Sequence, residues 1–465
     1  MSKPAELIRT IRSALSSEAH HDLTTLPVDR AVVLLAIPMV LEMALESVFA
    51  LTDIFFVGKL GPAAVATVGL TESLLAIVYA IAMGVGVSVS AIVARRIGEK
   101  EPDEAAHTAA QAVWLAIVLA AVLGTTGALY APQLLRFLGA DEEVLRTGTT
   151  FARIMLGGEV SVILLFILNA VFRGAGDAAV AMRVLWTANI LNIVLGPCFI
   201  FGLGPFPALG VTGAAIATTT GRGVGAALAL YWLITGRSRI AVRAAHWRPD
   251  PALMWKLVRL AGSGVFQFLV GTASWIGLVR ILAPYGAVVL AGYTIAIRVL
   301  VFILLPSFGL SNAAATMVGQ NLGAKAPDRA AEAVASAARW NVYVLGAIGI
   351  VMVAFAPLIA GIFTRDAAAA AVATTALRIT GLGCPLYGIG MVMTQAFNGA
   401  GDTWTPTWLN FGIFWLFEIP FAWLLAHPLG FGPTGVFIGI TTAFSVLALT
   451  AWALFRRGTW RTAEV

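Results

Sequence analysis

The sequence predicts an all-α polytopic membrane protein, with twelve transmembrane helices in two pseudo-symmetric six-helix lobes. Three observations carry that prediction. Long apolar runs recur along all 465 residues, only 12% of residues are charged while 59% are hydrophobic, and one pattern of glycine, proline and acid occurs twice. Soluble domains carry about 25% charged residues. An apolar run of about 18 or more residues is long enough to cross a bilayer as a helix.

Taken in order, the elements begin with a polar tail, residues 1–30. Its segment SKPAELIRTIRSALSSEAHHDLTTLPVDR is too polar for the apolar centre of a signal peptide. Leu7, Ile8, Ile11 and Leu15 share one helical face, which fits a short interfacial helix as well as it fits a solvated tail. The first lobe, residues 31–234, is expected to hold spans at 31–57, 64–93, 107–130, 147–172, 180–202 and 210–234. The basic segment TGRSRIAVRAAHWRPDPALMW (235–255) forms a linker. The second lobe, 256–455, follows with spans at 256–282, 289–318, 332–355, 372–397, 405–426 and 435–455, and residues 456–465 form a closing tail.

Charge sets the orientation. Lys and Arg crowd the segments and helix flanks that share a side with the N-terminus, among them Arg95, Arg96, Lys100, Arg173, Arg237, Arg239, Arg243, Arg456 and Arg457. The opposite loops and their flanks hold only Lys59, Arg136, Arg146, Arg280, Arg365 and Arg378. Basic loops stay inside, so both termini are expected in the cytoplasm and the membrane to be the inner one. The net charge of +6 then reflects topology rather than nucleic-acid binding. The two cysteines, Cys198 and Cys384, sit in apolar spans and suit small buried hydrophobes better than a disulfide framework.

The repeat is explicit. VARRIGEKEPDEAA (93–106) aligns with VGQNLGAKAPDRAA (318–331) at an offset of 225, and the same offset places FRGAGD (172–177) on FNGAGD (397–402). At 222, GVTGAAIATTT (210–220) meets GPTGVFIGITT (432–442). Each half holds an even number of spans, so the halves enter from the same side and form parallel repeats. Two such lobes around a cleft are the arrangement of an alternating-access transporter.

Acids inside the spans are the candidates for chemistry. Glu42, Glu46 and Asp53 lie in MVLEMALESVFALTDIFFVGKLG. At 100° per residue they fall within one narrow stripe about 16 Å long. Each carboxylate costs roughly 2.5–3.5 kcal/mol at a bilayer centre, so the stripe must face protein or water. One reading is three acids neutralised by neighbouring helices, with Arg153, Arg222 and Arg298 as the internal bases. The other, favoured because so few bases are available, is a proton relay or cation site. The duplicated helix carries Gln267, Gly271 and Leu278 at the same places. That asymmetry puts ion coupling in the first lobe, centred on Asp53.

The remaining polar residues divide. Asn189 suits interhelical hydrogen bonding. Glu72 sits early in its span, and Glu159 lies mid-span beside Gly157 and Gly158. Glu418 is deep in WLFEIPFAW, falls on Gly196 at the 222 offset, and is the best candidate for a second-lobe contact with a cation or cargo. Asp177 and Asp402 close the paired Gly-Ala-Gly-Asp turns and are expected to cap the next helix. Trp247 and Trp460 are expected at the membrane interface. Trp275, Trp404, Trp408, Trp415 and Trp423 mostly pack in the membrane, some of them able to wall a cavity.

LTDIFFVGKLG with Pro38, FRGAGD, NIVLGPCFIFGLG, GVTGAAIAT, Gly-Leu-Ser (309–311) and FNGAGDT together resemble the multidrug and toxic compound extrusion (MATE) transporters, over residues 30 to 455. The resemblance implies export of organic cations or other amphipaths against protons or sodium. It is nearest the DinF-like branch, which works through the first lobe: Asp53, Asn192 and Thr218 match that branch's span-one aspartate, span-five asparagine and span-six threonine. They would be the ligands if sodium were the coupling ion, with Glu46 able to add another oxygen. The branch's second aspartate is Gly196 here. The acidic positions of the NorM-like branch correspond to Gly271 and Tyr387. Gln267 and Tyr387 are retained, with Glu159 and Glu418, as possible substrate contacts.

An enzyme is disfavoured, since no histidine lies well inside a span and no DDxxD-type pair exists. A flippase for a lipid-linked or other amphipathic metabolite is the nearer alternative, although the deep charge here is acidic. A lipid-modifying membrane enzyme is more remote, and a passive channel lacks a pore-loop sequence. The expectation is therefore a monomeric antiporter that touches lipid and a small amphipathic cargo, binds no nucleic acid, and uses no cofactor or metal beyond H+ or Na+.

Overall fold

The computed structural model describes residues 11–15 and 22–463, and among them are helices and turns and no strand. Of the tail residues, Ile11 and Leu15 lie in a helical turn, while Leu7 and Ile8 fall outside the described residues. Arg183 Nη2 donates to the Leu15 carbonyl at 2.6 Å.

The first half contains α1 (Val28–Gly58), α2 (Pro62–Gly98), α3 (Pro102–Phe137), α4 (Glu142–Gly157), α5 (Glu159–Ala175), α6 (Ala178–Phe201) and α7 (Val211–Thr235). The second contains α8 (Pro251–Leu282), α9 (Ala287–Gly323), α10 (Pro327–Phe363), α11 (Ala367–Ala400), α12 (Trp404–Asn410), a π-helical stretch Phe411–Glu418, α13 (Ile419–Ala426) and α14 (Pro433–Arg457). With α4 and α5 counted as one span, and α12 to α13 as another, twelve spans result, as the sequence predicts. Eleven are apolar enough to cross a membrane on composition alone. The twelfth, α7, has the length but is diluted by glycine, threonine and Arg222.

Local chemistry sets the helix ends. Proline opens α2, α3, α10 and α14, where its missing N–H costs nothing. Asp141 Oδ1 accepts from the Val144 amide at 2.8 Å, and Asp366 Oδ1 from the Ala368 amide at 2.8 Å, capping α4 and α11. The duplication extends to these boundaries: Pro62 and Ala287, Pro102 and Pro327, Glu142 and Ala367 each open a helix 225 residues apart.

The two Gly-Ala-Gly-Asp turns repeat in three dimensions. A Cβ on Gly174 would lie 2.6 Å from the Ser90 carbonyl, and one on Gly399 would lie 2.2 Å from that of Ala315. Only glycine allows such backbone approach. Gly176 and Gly401 follow with φ of 86° and 89°, the left-handed turn that ends each helix. The aspartates then diverge. Asp402 caps as expected, its Oδ1 accepting from the Thr405 amide at 3.1 Å. Asp177 makes no cap to its own helix; its Oδ2 accepts from the backbone N–H of Arg239. The linker thus takes the acceptor that sequence position assigns to α6.

The chain divides into two compact units, one built around Leu41–Val265 and the other joining Asp22–Val40 to Phe266–Val465. The boundary inside α1 falls two residues after Pro38, whose ring interrupts the helix's hydrogen bonds. In the first unit, α5 packs on α2, α3 and α7, and α6 on α7. The linker docks on α3: Gln111 Nε2 donates to the Arg248 carbonyl at 2.8 Å, and Trp114 Nε1 to that of Trp247 at 3.0 Å. The Leu253 amide, with His107 adding a smaller share, holds Asp250 below the usual carboxylate range. In the second unit, α11 packs on α9, α10 and α14, around a core that includes Leu300, Leu345, Leu377, Cys384 and Phe437.

Trp247 is half-buried and meets Trp114 edge-on. Trp460, expected at an interface, is instead 1% exposed and stacks on Phe455 at 4.5 Å. The turn at Gly458 folds it back onto α14.

Candidate functional site

The stripe on α1 faces α5, α6 and α7 within the first unit. Glu42, 1% exposed, receives a 3.0 Å hydrogen bond from Arg173 Nη1. Arg173 belongs to the FRGAGD turn at the end of α5. One helical turn on, Glu46 Oε1 receives Arg222 Nη2 of α7 at 3.1 Å, and its Oε2 receives Asn189 Nδ2 of α6 at 2.8 Å. Of the three arginines named as internal bases, Arg222 alone is buried; Arg153 and Arg298 are exposed. The base missed is Arg173, placed by sequence at a helix flank. The signal lay in the repeat: the 225 offset pairs Glu42 with Gln267 and Arg173 with Asn398, so both members of the ion pair are neutral in the second copy.

Arg222 is the centre of the cluster. Its guanidinium lies 5.7 Å from the ring centroid of Phe49 and 5.9 Å from that of Phe166. Glu46, Glu159 and Tyr79 lie within its electrostatic reach, and Asp53 feels both Arg222 and Glu72. Among the described residues only Nη2 is hydrogen-bonded; Nε and Nη1 are buried without a partner. Buried, partly satisfied networks of this kind have large energetic consequences when a partner changes.

Glu159 explains the break between α4 and α5. Gly158 separates the helices, and a Cβ there would meet the Thr219 side chain at 2.5 Å. Glu159 therefore opens α5, fully buried, where the positive end of the helix favours an acid. Both its oxygens lack a hydrogen-bond partner among the described residues. Asn192 Nδ2 donates to Thr218 Oγ1 at 2.9 Å, both residues buried. Asp53 is half-buried, and Glu72 is exposed. A Cβ on Gly196 would come no closer than 4.0 Å to Asn192 Oδ1. The cluster thus holds five acids, Glu42, Glu46, Asp53, Glu72 and Glu159, against two guanidiniums, Arg173 and Arg222.

In the second unit, Gln267 and Glu418 line a cavity of about 230 Å³. Tyr387 does not line it: the ring is fully buried behind it, its hydroxyl donating to Thr441 Oγ1 at 3.2 Å.

Comparison with known proteins agrees with this architecture. A multidrug resistance protein, probable by name, YoeA of Bacillus subtilis, is 25% identical over 433 residues, 92% of this chain and 93% of its own. The FAD transporter of Shewanella oneidensis is 29% identical over 347 residues, 74% and 76% of the two chains. A MATE transporter crystallised in complex with MaL6 superposes with a TM-score of 0.89 at 27% identity, covering 95% of this chain and 99% of that one. A MOP superfamily transporter from Pyrococcus furiosus gives 0.88 at 27% identity, covering 95% and 98%. The MatE family model matches residues 38–198 and again 265–424, once in each copy of the repeat. The chain is an integral membrane transporter, not an enzyme, and belongs to the MatE family.

Proposed function

We propose that the protein is a secondary active efflux antiporter, which exports amphipathic organic cations in exchange for protons through the acid cluster of its first unit. The observation that carries this is Arg222, a buried guanidinium hydrogen-bonded to one acid while two others, Glu159 and Asp53, lie within its field. A proton delivered to this cluster competes with Arg222 for its carboxylates. The guanidinium's unpaired Nε and Nη1 can then turn to Glu159 or Asp53, so that proton binding changes which helices are tied together. Multidrug resistance and export proteins among the relatives, and an excess of five acids over two guanidiniums, support cationic cargo. The orientation follows the basic loops: both termini cytoplasmic, in the inner membrane, with the chain acting as a monomer.

Sodium is the alternative coupling ion. Its ligands would be Asp53, Asn192 and Thr218, but Thr218 Oγ1 is already engaged by Asn192 Nδ2 and position 196 supplies no carboxylate, which favours protons. The FAD transporter relative supports a second reading, export of an anionic amphipathic metabolite; the acid excess opposes it. The test is efflux from inverted vesicles, with proton and sodium gradients imposed separately and an ethidium-type cation or FAD as cargo. A proton gradient should drive the cation. Transport indifferent to both gradients would sink antiport, and transport of FAD alone would replace the cargo.

A further inference from the structure

The second unit contains a carboxylate without a counter-charge. Glu418 is 2% exposed, lines the 230 Å³ cavity, and meets no hydrogen-bond or ion-pair partner among the described residues. No Lys or Arg lines that cavity. The repeat supplies the reason: at the 222 offset, Arg222 of the first copy corresponds to Phe444, which lines the cavity. Where the first unit sets a guanidinium among its acids, the second sets an aromatic ring beside a lone acid. Burying an isolated carboxylate is costly unless something pairs with it.

The walls suggest what does. Phe268, Trp275, Phe308, Phe414 and Phe444 line the cavity with the acid, and aromatic faces attract organic cations. Two amide acceptors among the lining residues, Gln267 Oε1 and Asn410 Oδ1, are buried without donors. Gln395, by contrast, is satisfied at both ends, donating to Asn312 at 3.1 Å and accepting from Asn398 at 2.7 Å.

The backbone is specialised at the same place. Asn410, Phe414 and Glu418 are four residues apart and all line the cavity, and Phe411–Glu418 is π-helical. Pro420 follows, without an N–H for the Leu416 carbonyl. Trp415 Nε1 fastens the widened turn to the Val270 carbonyl of α8 at 3.0 Å. π-Helical insertions in α-helices concentrate at functional sites.

We infer that this cavity is a binding site for a small organic ammonium ion, with the Glu418 carboxylate as its counter-charge and the five aromatic rings as its walls. The inference rests on the proposed cation export and adds the place where the cargo sits. At about 230 Å³ the cavity is below the usual range of about 300–1,000 Å³ for drug-sized ligands, so a compact ammonium suits it better than a large polycyclic dye.

Equilibrium binding of radiolabelled tetraethylammonium to the purified full-length protein, with no ion gradient, tests the site. Because no gradient is present, failure of antiport and failure of this site are read separately. Glu418→Gln should weaken binding about ten-fold or more, a loss of about 1.4 kcal/mol. Glu418→Asp, which keeps the charge, should restore most of it. Phe444→Arg, which gives the cavity its own guanidinium, should also abolish binding. If Glu418→Gln does not fold, the Phe444→Arg and Glu418→Asp pair still decides. Undiminished tetraethylammonium binding in Glu418→Gln or Phe444→Arg, or Glu418-dependent binding of radiolabelled sodium with none of tetraethylammonium, would overturn the assignment.

Discussion

Glu42 and Arg173 form an ion pair at 3.0 Å, with side chains 1% and 16% exposed. The second repeat has Gln267 and Asn398 at the equivalent positions. Their Coulomb attraction at 3.0 Å is about 5.5 kcal/mol at an effective dielectric constant of about 20, most of it offset by the desolvation of both ions. Removing one partner leaves the other charge buried, which costs about 3–5 kcal/mol. The partial exposure of Arg173 lowers the figure, so Glu42→Gln and Arg173→Asn should each destabilise by about 2–4 kcal/mol. The double variant copies the second repeat and removes both charges together. It should lie within about 1.5 kcal/mol of the native protein, because replacing a whole buried pair is often neutral. The assay is a double-mutant cycle on unfolding in mixed micelles of native and denaturing detergent, with vesicle efflux measured alongside. Single losses that simply add in the double variant would refute the pairing. Efflux restored in the double variant would mark Glu42 as a structural acid, and efflux still lost would place it in the coupling path.

Asp53→Asn should abolish gradient-driven efflux while the protein accumulates normally; driven transport by that variant removes Asp53 from the mechanism. Gly196→Asp should be accommodated, since a Cβ there meets nothing closer than 4.0 Å, and should add a sodium-driven component to vesicle efflux; unchanged cation dependence would refute the site's geometry. Gly399→Ala drives a methyl to 2.2 Å from the Ala315 carbonyl, so it should cost about 3 kcal/mol, the upper end for overpacking, measured as a lowered unfolding midpoint. Lys325 holds φ at 57° at the end of α9, as Lys100 does at 65° at the end of α2. Lys325→Gly should therefore stabilise by about 1 kcal/mol by removing the left-handed strain, seen as a raised thermal midpoint.

The spans and the duplication were legible because a bilayer imposes length and polarity so strongly. Even the shared register of helix starts is visible as a constant offset between the Gly-x-Lys-x-Pro-Asp and Gly-Ala-Gly-Asp motifs. The acid stripe was legible too, since period alone places Glu42, Glu46 and Asp53 on one face. Their partners were not. Helical period says nothing about which neighbour a face meets, so Arg173 read as a flanking residue, and Asn189 read correctly as an interhelical hydrogen-bonder without Glu46 being named as its acceptor. The split at Gly158 hid for a similar reason: a double glycine signals close approach without saying that Thr219 is what approaches. Asp177 was misassigned as a cap because its best donor, the Arg239 amide, lies 62 residues away. The π-helical turn before Pro420 has no composition signal, although the proline marks where helical bonding must change.

The two copies keep the 225 offset through Phe201 and Ala426 and resume at 222 with Val211 and Pro433. The connection before α7, GLGPFPALG, is thus three residues longer than its counterpart before α14, yet both re-enter the next helix through a glycine with φ of 56°. Phe206 is anchored on Phe199 at 4.8 Å, and the Leu209 amide is held by the Phe199 carbonyl at 2.9 Å, whereas Leu203, Gly204 and Pro205 are exposed. Chain length here has already varied without disturbing either flank, and exposed loop tips of this kind accept insertions. An epitope or reporter placed between Gly204 and Pro205 gives the protein a handle for purification, and for reading which side of the membrane this loop faces in intact cells.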